Sequence, residues 1–208
     1  MKAFVISGGE IFARYITERP EAEDIVICAD SGYKNAVELN IHVNILVGDF
    51  DSLGKIPDDV DEIVRVPTEK NLTDTQLAVD IALNRGANEI VIVGSTSGRF
   101  DHALSTLSIL EILAARKIGA IVVNGQNRIR YLKNSGLILL RSDNYKYFSL
   151  IAVDELAKGV SIEGAKYPLN NKTIKRGEQF AVSNEILKNC ALINVRKGGL
   201  YIIESRDI

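Results

Sequence analysis

The sequence has no tryptophan, one methionine, four prolines, two cysteines and two histidines among 208 residues. Cys28 and Cys190 lie far apart in the chain, so neither a disulfide scaffold nor a cysteine zinc site is expected. His42 and His102 are too few for a histidine-rich metal centre. A metal held by this chain is therefore held by oxygen, which favours magnesium or manganese over zinc. Like-charge blocks and long Pro/Ser tracts are missing too, which excludes disorder as the dominant state. No apolar run reaches the ~18 residues of a membrane span. The start, Met1-Lys2-Ala3-Phe4-Val5-Ile6-Ser7-Gly8-Gly9, has too short an apolar run for a signal segment and reads as the first strand of a cytoplasmic protein.

What is present is a globular composition, 46% hydrophobic and 25% charged, with a formal net charge of −2. The distribution of charge says more than the sum. Residues 1–124 carry 11 Lys+Arg against 19 Asp+Glu, whereas residues 125–208 carry 14 against 8. Residues 49–80 alone hold nine acids and three bases, a cluster that must be solvated or neutralised by a cation. The basic excess of the second half is scattered and lacks interleaved aromatics, so no nucleic-acid partner is expected.

Short Val/Ile-rich runs alternate with helix-like stretches through the first 124 residues. Strands are expected at Lys2–Ser7, Asp24–Ala29, Asn44–Val47, Glu62–Val66, Glu89–Val93 and Ala120–Val123, with helices over 10–18, 32–39, 73–85 and 101–117. Most strands are apolar at successive positions, as in a parallel sheet covered on both faces, so an α/β domain is expected over 1–124. Beyond Asn124-Gly125 the helical period disappears. About seven short β-prone runs, Asn127–Leu132, Leu137–Leu140, Tyr147–Val153, Gly159–Glu163, Gln179–Val182, Ala191–Val195 and Leu200–Ile203, suggest a small antiparallel β-sandwich domain over 125–208.

Five segments at the expected strand ends are candidates for chemistry. Gly48-Asp49-Phe50-Asp51-Ser52 follows a strand, and on an extended backbone Asp49 and Asp51 point to one side, where a divalent cation relieves their repulsion; a plain turn uses the same residue types. In Thr68-Glu69-Lys70-Asn71-Leu72-Thr73-Asp74-Thr75-Gln76, Thr73 and Gln76 form a capping-box pattern that opens a helix ended by Gly86. Asp74 then falls in the first turn, where the helix dipole alone would also favour it. Gly94-Ser95-Thr96-Ser97-Gly98-Arg99-Phe100-Asp101-His102 is a small-residue loop before a helix, suited to phosphate at the backbone N–H groups with Arg99 adding a charged fork. Asp101 fits a helix N-cap equally well, and for His102 an orienting or structural role is favoured over proton transfer. Cys28-Ala29-Asp30-Ser31-Gly32 and Ser7-Gly8-Gly9 are further small-residue turns into helices. Neither matches the spaced glycines of a dinucleotide fold.

Taken together these segments resemble the thiamin pyrophosphokinase family. The matching pieces are Ala29–Gly32, Gly48–Ser52, Glu69–Asp74 and Gly94–His102, with Tyr167-Pro168-Leu169-Asn170-Asn171 and Ser183-Asn184-Glu185 resembling that family's C-terminal signatures. The resemblance spans nearly the whole chain in order. It implies an ATP-binding α/β domain, a thiamine-binding β-sandwich domain, and a homodimer with the vitamin where subunits meet. The implied reaction moves the terminal pyrophosphoryl group of ATP to the thiamine hydroxyl with magnesium, giving thiamine diphosphate and AMP. It makes Asp49, Asp51 and Asp74 the magnesium and phosphate-handling acids. Asp30, Ser31, Gly32, Gly94, Ser95, Arg99, Asp101 and His102 then belong to the nucleotide cleft, and Ser183 and Asn184 to the thiamine contacts. With no tryptophan, Tyr167, Phe180 or Tyr201 would stack on the vitamin. Asn71 departs from the family, which usually has an acid there; the change keeps an oxygen and loses a charge.

Other readings use fewer of these residues. Asp49-Phe50-Asp51 also fits the DxD of a nucleotide-sugar glycosyltransferase, which leaves the C-terminal signatures without a role. An aspartate-dependent phosphatase carries its acid pair after the first strand, whereas two strands precede it here. A thiamine or nucleotide sensor has no need of the full acid set.

Overall fold

The computed structural model describes residues 1–51, 57–67 and 71–208. Ser52, Thr68, Glu69 and Lys70 of the motifs above lie outside the described residues. The chain forms two compact units, Met1–Gly125 and Gln126–Ile208.

In the first unit β1 (Lys2–Ile6), β2 (Ile25–Ala29), β3 (Val43–Gly48), β4 (Val60–Arg65), β5 (Glu89–Val93) and β6 (Gly119–Val123) form a parallel sheet in the order β4-β3-β2-β1-β5-β6. The expected α/β architecture is therefore present. Because side chains alternate along a strand, Phe4, Ile6, Val26, Cys28, Leu46 and Val93 share one core with Ala36 and Leu39, contributed by the helix α1 (Gly32–Glu38) and its C-cap. The alternate residues Val5, Ile27, Ile45 and Ile92 are as deeply buried and serve the other face. There α2 (Asp74–Asn84) lies against β1, β2 and β3. Burial on both faces is what makes these strands read as continuous apolar runs, each large side chain adding about 1.5–3 kcal/mol. Thr73 caps α2 by accepting the Gln76 N–H at 3.2 Å, and Gly86 leaves the helix at φ +90°. The third helix, α3 (Phe100–Ala115), leads into β6.

Two expectations fail in this unit. No helix covers 10–18; only a 3-10 turn, Ala13–Tyr15, forms. Phe12 donates its N–H to the Asn124 carbonyl at 2.8 Å, and Ile11 and Ile16 enter the core, so tertiary anchoring holds the chain open. Nor is Asp101 the N-cap of α3, since that position belongs to Arg99 and the helix already runs through Phe100.

The second unit pairs β7 (Asn127–Lys133), β13 (Gly199–Ser205) and β9 (Tyr147–Ala152) as one antiparallel sheet, order β7-β13-β9. The other sheet has the order β11-β10-β12-β8, from β8 (Gly136–Leu140), β10 (Leu156–Glu163), β11 (Leu169–Lys175) and β12 (Cys190–Asn194). Phe148, Leu150, Leu200 and Ile202 of the first sheet meet Leu139, Val160, Ile162, Ile174 and Ile193 of the second in one core. This is the expected sandwich with one strand exchanged. Gln179–Val182 is a turn instead of a strand, because Glu178 folds back to accept the Lys175 N–H at 3.1 Å. The Leu169–Lys172 stretch, which lies outside the expected β-prone runs, begins β11. Among the described residues no helix is long and apolar enough to cross a membrane.

Candidate active site

Strand order places the site. The chain leaves β1 toward β2, β3 and β4 on one side and returns to β5 and β6 on the other, so the connections from β1 and β5 diverge and open a crevice at their carboxyl ends. A cavity of about 550 Å³ lies there, walled by Gly8 and Gly9 after β1, Asp30 and Ser31 after β2, Thr73–Thr75 at the start of α2, and Ser95, Ser97–Arg99 and His102 around the loop after β5.

Close backbone approaches shape this crevice. A Cβ on Gly32 would lie 2.0 Å from the Ile6 carbonyl oxygen, so only glycine lets α1 begin against the end of β1. Gly94 has φ +88°, and a Cβ there would meet the Ser7 and Gly8 carbonyl oxygens at 2.7 and 2.9 Å. Asp30 and Ser95 both stand at positive φ, 44° and 59°. Such strain in residues with side chains gathers at functional turns.

Six of the residues singled out from sequence reach the cavity wall: Asp30, Ser31, Asp74, Ser95, Arg99 and His102. The Asp30 and Asp74 Oδ1 atoms are shielded from solvent. Gly32 and Gly94 stand behind the wall as packing contacts. Arg99 turns its guanidinium onto Asp101, with Nε and Nη2 at 3.2 and 2.6 Å from the two carboxylate oxygens. That hydrogen-bonded pairing raises the Arg99 pKa and holds Asp101 below the ordinary carboxylate range. Both side chains are exposed, and such pairs contribute little to stability, so Arg99 can exchange Asp101 for a phosphate at small cost. His102 donates its backbone N–H to Asp101 Oδ1 at 3.0 Å.

Asp49 and Asp51 do not form the extended same-side pair. Phe50 between them is left-handed, φ 67°, and buried, so the chain turns there and the Asp51 N–H donates to Asp49 Oδ1 at 3.1 Å. Neither acid is part of the cavity wall. Gly48, the residue before Asp49, lies close against the end of β2, since a Cβ there would stand 3.1 Å from that of Asp30. Oxygen dominates the donors of the wall: the Asp30 and Asp74 carboxylates and the Ser31, Thr73 and Thr75 hydroxyls. Among the described residues no three His, Cys, Asp or Glu side chains converge as a ready-made metal cage. The set fits magnesium, which takes one or two carboxylates and fills its shell from water and phosphate oxygens.

Several wall residues had no separate signal in sequence. Thr75 holds β1 to α2 through a 2.8 Å bond between its Oγ1 and Ser7 Oγ. Ser97 Oγ accepts the Glu10 N–H at 2.6 Å and donates to the Glu10 carbonyl at 3.2 Å, latching the loop after β5 to the turn after β1. Their position at successive strand ends was the only available clue.

In the second unit Ser183 is exposed at φ 57° and donates its N–H to Ser149 Oγ at 3.0 Å. Asn184 is 2% exposed. Its amide accepts from the Tyr167 and Glu185 N–H groups and donates to the Tyr167 carbonyl, all at 2.8–2.9 Å. Asn184 is thus a clamp on the Tyr167 backbone. The Asn184→Leu substitution strands three part-buried backbone groups and is expected to lower stability by about 1–3 kcal/mol, read by chemical denaturation. Tyr201 packs edge-on against Tyr131 at 5.7 Å, whereas Tyr167 and Phe180 are exposed.

Comparison with known proteins gives the family. Residues 17–122 match the thiamin pyrophosphokinase catalytic domain and residues 135–200 its vitamin B1 binding domain. The chain belongs to the thiamin pyrophosphokinase family. It is 29% identical to the thiamine pyrophosphokinase of Bacillus subtilis over 92% of both chains. Thiamin pyrophosphokinase 1 of Caenorhabditis elegans is 27% identical over 77% of this chain and 70% of its own. The crystal structure of the B. subtilis protein superposes with a TM-score of 0.89 at 26% identity, covering all of both chains. Family membership makes the chain a transferase that joins thiamine to the pyrophosphoryl group of ATP.

Proposed function

We propose that ATP occupies the crevice beyond β1, β2 and β5 and that thiamine is held by the second unit. The observation that carries this reading is the 550 Å³ cavity at the sheet's switch point, which gathers two carboxylates, several hydroxyls and an exchangeable arginine. The bond formed joins the thiamine hydroxyl oxygen to the β-phosphorus of ATP. The bond broken is Pα–O–Pβ, so AMP departs and the hydroxyl proton is released.

Catalysis of such a transfer is chiefly positioning and charge neutralisation. Gly8, Gly9 and the loop after β5 present backbone to the phosphates, and Arg99 leaves Asp101 to add its fork. Asp74 and Asp30, the two carboxylates of the wall, would hold magnesium, with Asp49 and Asp51 outside the wall on the turn after β3 as further phosphate-handling acids. The ion, when bound, offsets charge on the phosphate oxygens. Asn71 is exposed just before α2 and supplies a neutral oxygen in place of the family's acid. On the second unit Ser183 and the Tyr167 ring, held by Asn184, are proposed to meet the vitamin.

A homodimer is part of the proposal, supported by exposed Ile138, Leu140 and Leu192 on the adjoining strands β8 and β12. Work in the cytoplasm accords with the unpaired cysteines Cys28 and Cys190. Asp51→Asn tests the catalytic reading. Turnover is expected to fall at least tenfold while thiamine affinity changes little; equal turnover in the variant would remove Asp51 from the site. A sensor would bind its ligand alike with and without magnesium.

A further inference from the structure

Asn35, on α1, is buried, 8% exposed, and was not marked by any motif. Its side-chain amide donates to the Ser7 carbonyl at 2.7 Å and to the Gly9 carbonyl at 2.9 Å. These two carbonyls bracket the Gly8 turn that forms one wall of the cavity. The same amide nitrogen lies 3.3 Å from where a Cβ on Gly94 would stand, so the turns after β1 and β5 meet on it. One primary amide, with two N–H donors, thus satisfies two carbonyls of the turn that walls the cavity. A helix-core residue needs no such geometry.

We infer that Asn35 is a positioning residue for nucleotide binding: by tying the Ser7 and Gly9 carbonyls back toward α1, it leaves the Gly8–Gly9 backbone turned to the phosphates. The bracing is completed by the Ser7–Thr75 and Ser97–Glu10 bonds, which fix the same turn from α2 and from the β5 loop. Carbonyl oxygens released from Asn35 would compete with the phosphates electrostatically, being partial negative charges where donors are required. The inference rests on the ATP assignment made above.

Asn35→Leu keeps the side chain's approximate size and removes both donors; Asn35→Asp keeps its shape and replaces the donating nitrogen by a second acceptor oxygen. Leu39→Ala, in the adjoining core, serves as a control for lost stability without contact to the turn. ATP binding is measured by calorimetry, and the KM values for ATP and thiamine by turnover, all below the unfolding temperature. The expected result is an ATP KM and dissociation constant raised about tenfold or more in both Asn35 variants, as for displaced positioning groups. The thiamine KM should hold, and Leu39→Ala should match wild type. Unchanged ATP affinity in a folded Asn35 variant would overturn the inference. So would an equal loss in Leu39→Ala, or failure of both Asn35 variants to fold, since either result makes Asn35 a general stabiliser. Absence of ATP binding by the wild-type protein would instead overturn the ATP assignment, and with it the basis of the inference.

Discussion

Asp74→Asn is expected to reduce thiamine-dependent turnover by about two to three orders of magnitude, the scale of losing one preorganised electrostatic contact to a transferring phosphoryl group. The change is nearly isosteric and removes only charge and one acceptor oxygen. Its effect on folding should be small, because Thr73 continues to accept the Gln76 N–H and hold the start of α2. Losing a first-turn acid costs about 0.3–1 kcal/mol through the helix dipole, which for a chain of this size is a fall of about 1–4 °C in melting temperature. Measuring kcat beside thermal unfolding separates the two roles of Asp74. A kcat near wild type with a large fall in melting temperature would make Asp74 a helix-starting residue and nothing more.

Gly32→Ala should produce the largest effect on folding. The added Cβ would stand 2.0 Å from the Ile6 oxygen and 2.7 Å from its carbon, and both belong to a central strand that cannot move aside. Either α1 withdraws, taking Asp30 and Ser31 out of the cavity wall, or the core opens around Phe4 and Ile6. Overpacking of this severity costs about 3 kcal/mol or more, a fall of roughly 6–12 °C, with loss of ATP affinity. Gly177→Ala is the control: nothing lies within 4 Å of its Cβ position, and stability should stay within about 0.5 kcal/mol of wild type. Equal melting temperatures for the two variants would show that α1 does not start against β1 as described.

How much of this was legible in the sequence depended on how strongly each segment was buried. β1, β2, β3 and β5 declared themselves because both their faces are covered, leaving uninterrupted Val and Ile. Edge strand β11 did not, since Ile174 is its one buried side chain and Asn171, at φ 50°, imitates a turn within it. The stretch 10–18 looked helical by spacing, yet the bond from Phe12 to Asn124 spans more than a hundred residues and leaves no local trace.

The site divides in the same way. Asp30, Asp74 and Arg99 were visible because they sit in turns between strongly patterned elements. The Asp49–Asp51 geometry was misread because Phe50 is drawn into the core, and Arg65 lies over its ring at 5.6 Å, so the backbone turns left-handed where an extended pair was expected. Asn184 was visible as a signature residue, but its role as a clamp was not, because Tyr167, the residue it clamps, lies 17 residues away. Asn35 gave no signal at all, since its partners are backbone atoms.

The most direct test of the account is nucleotide release by the purified protein with ATP and magnesium, in the presence and absence of thiamine. Pyrophosphoryl transfer predicts AMP that appears only with thiamine, in equal amount to thiamine diphosphate. ADP or free phosphate in its place, or AMP formed equally without thiamine, would contradict it.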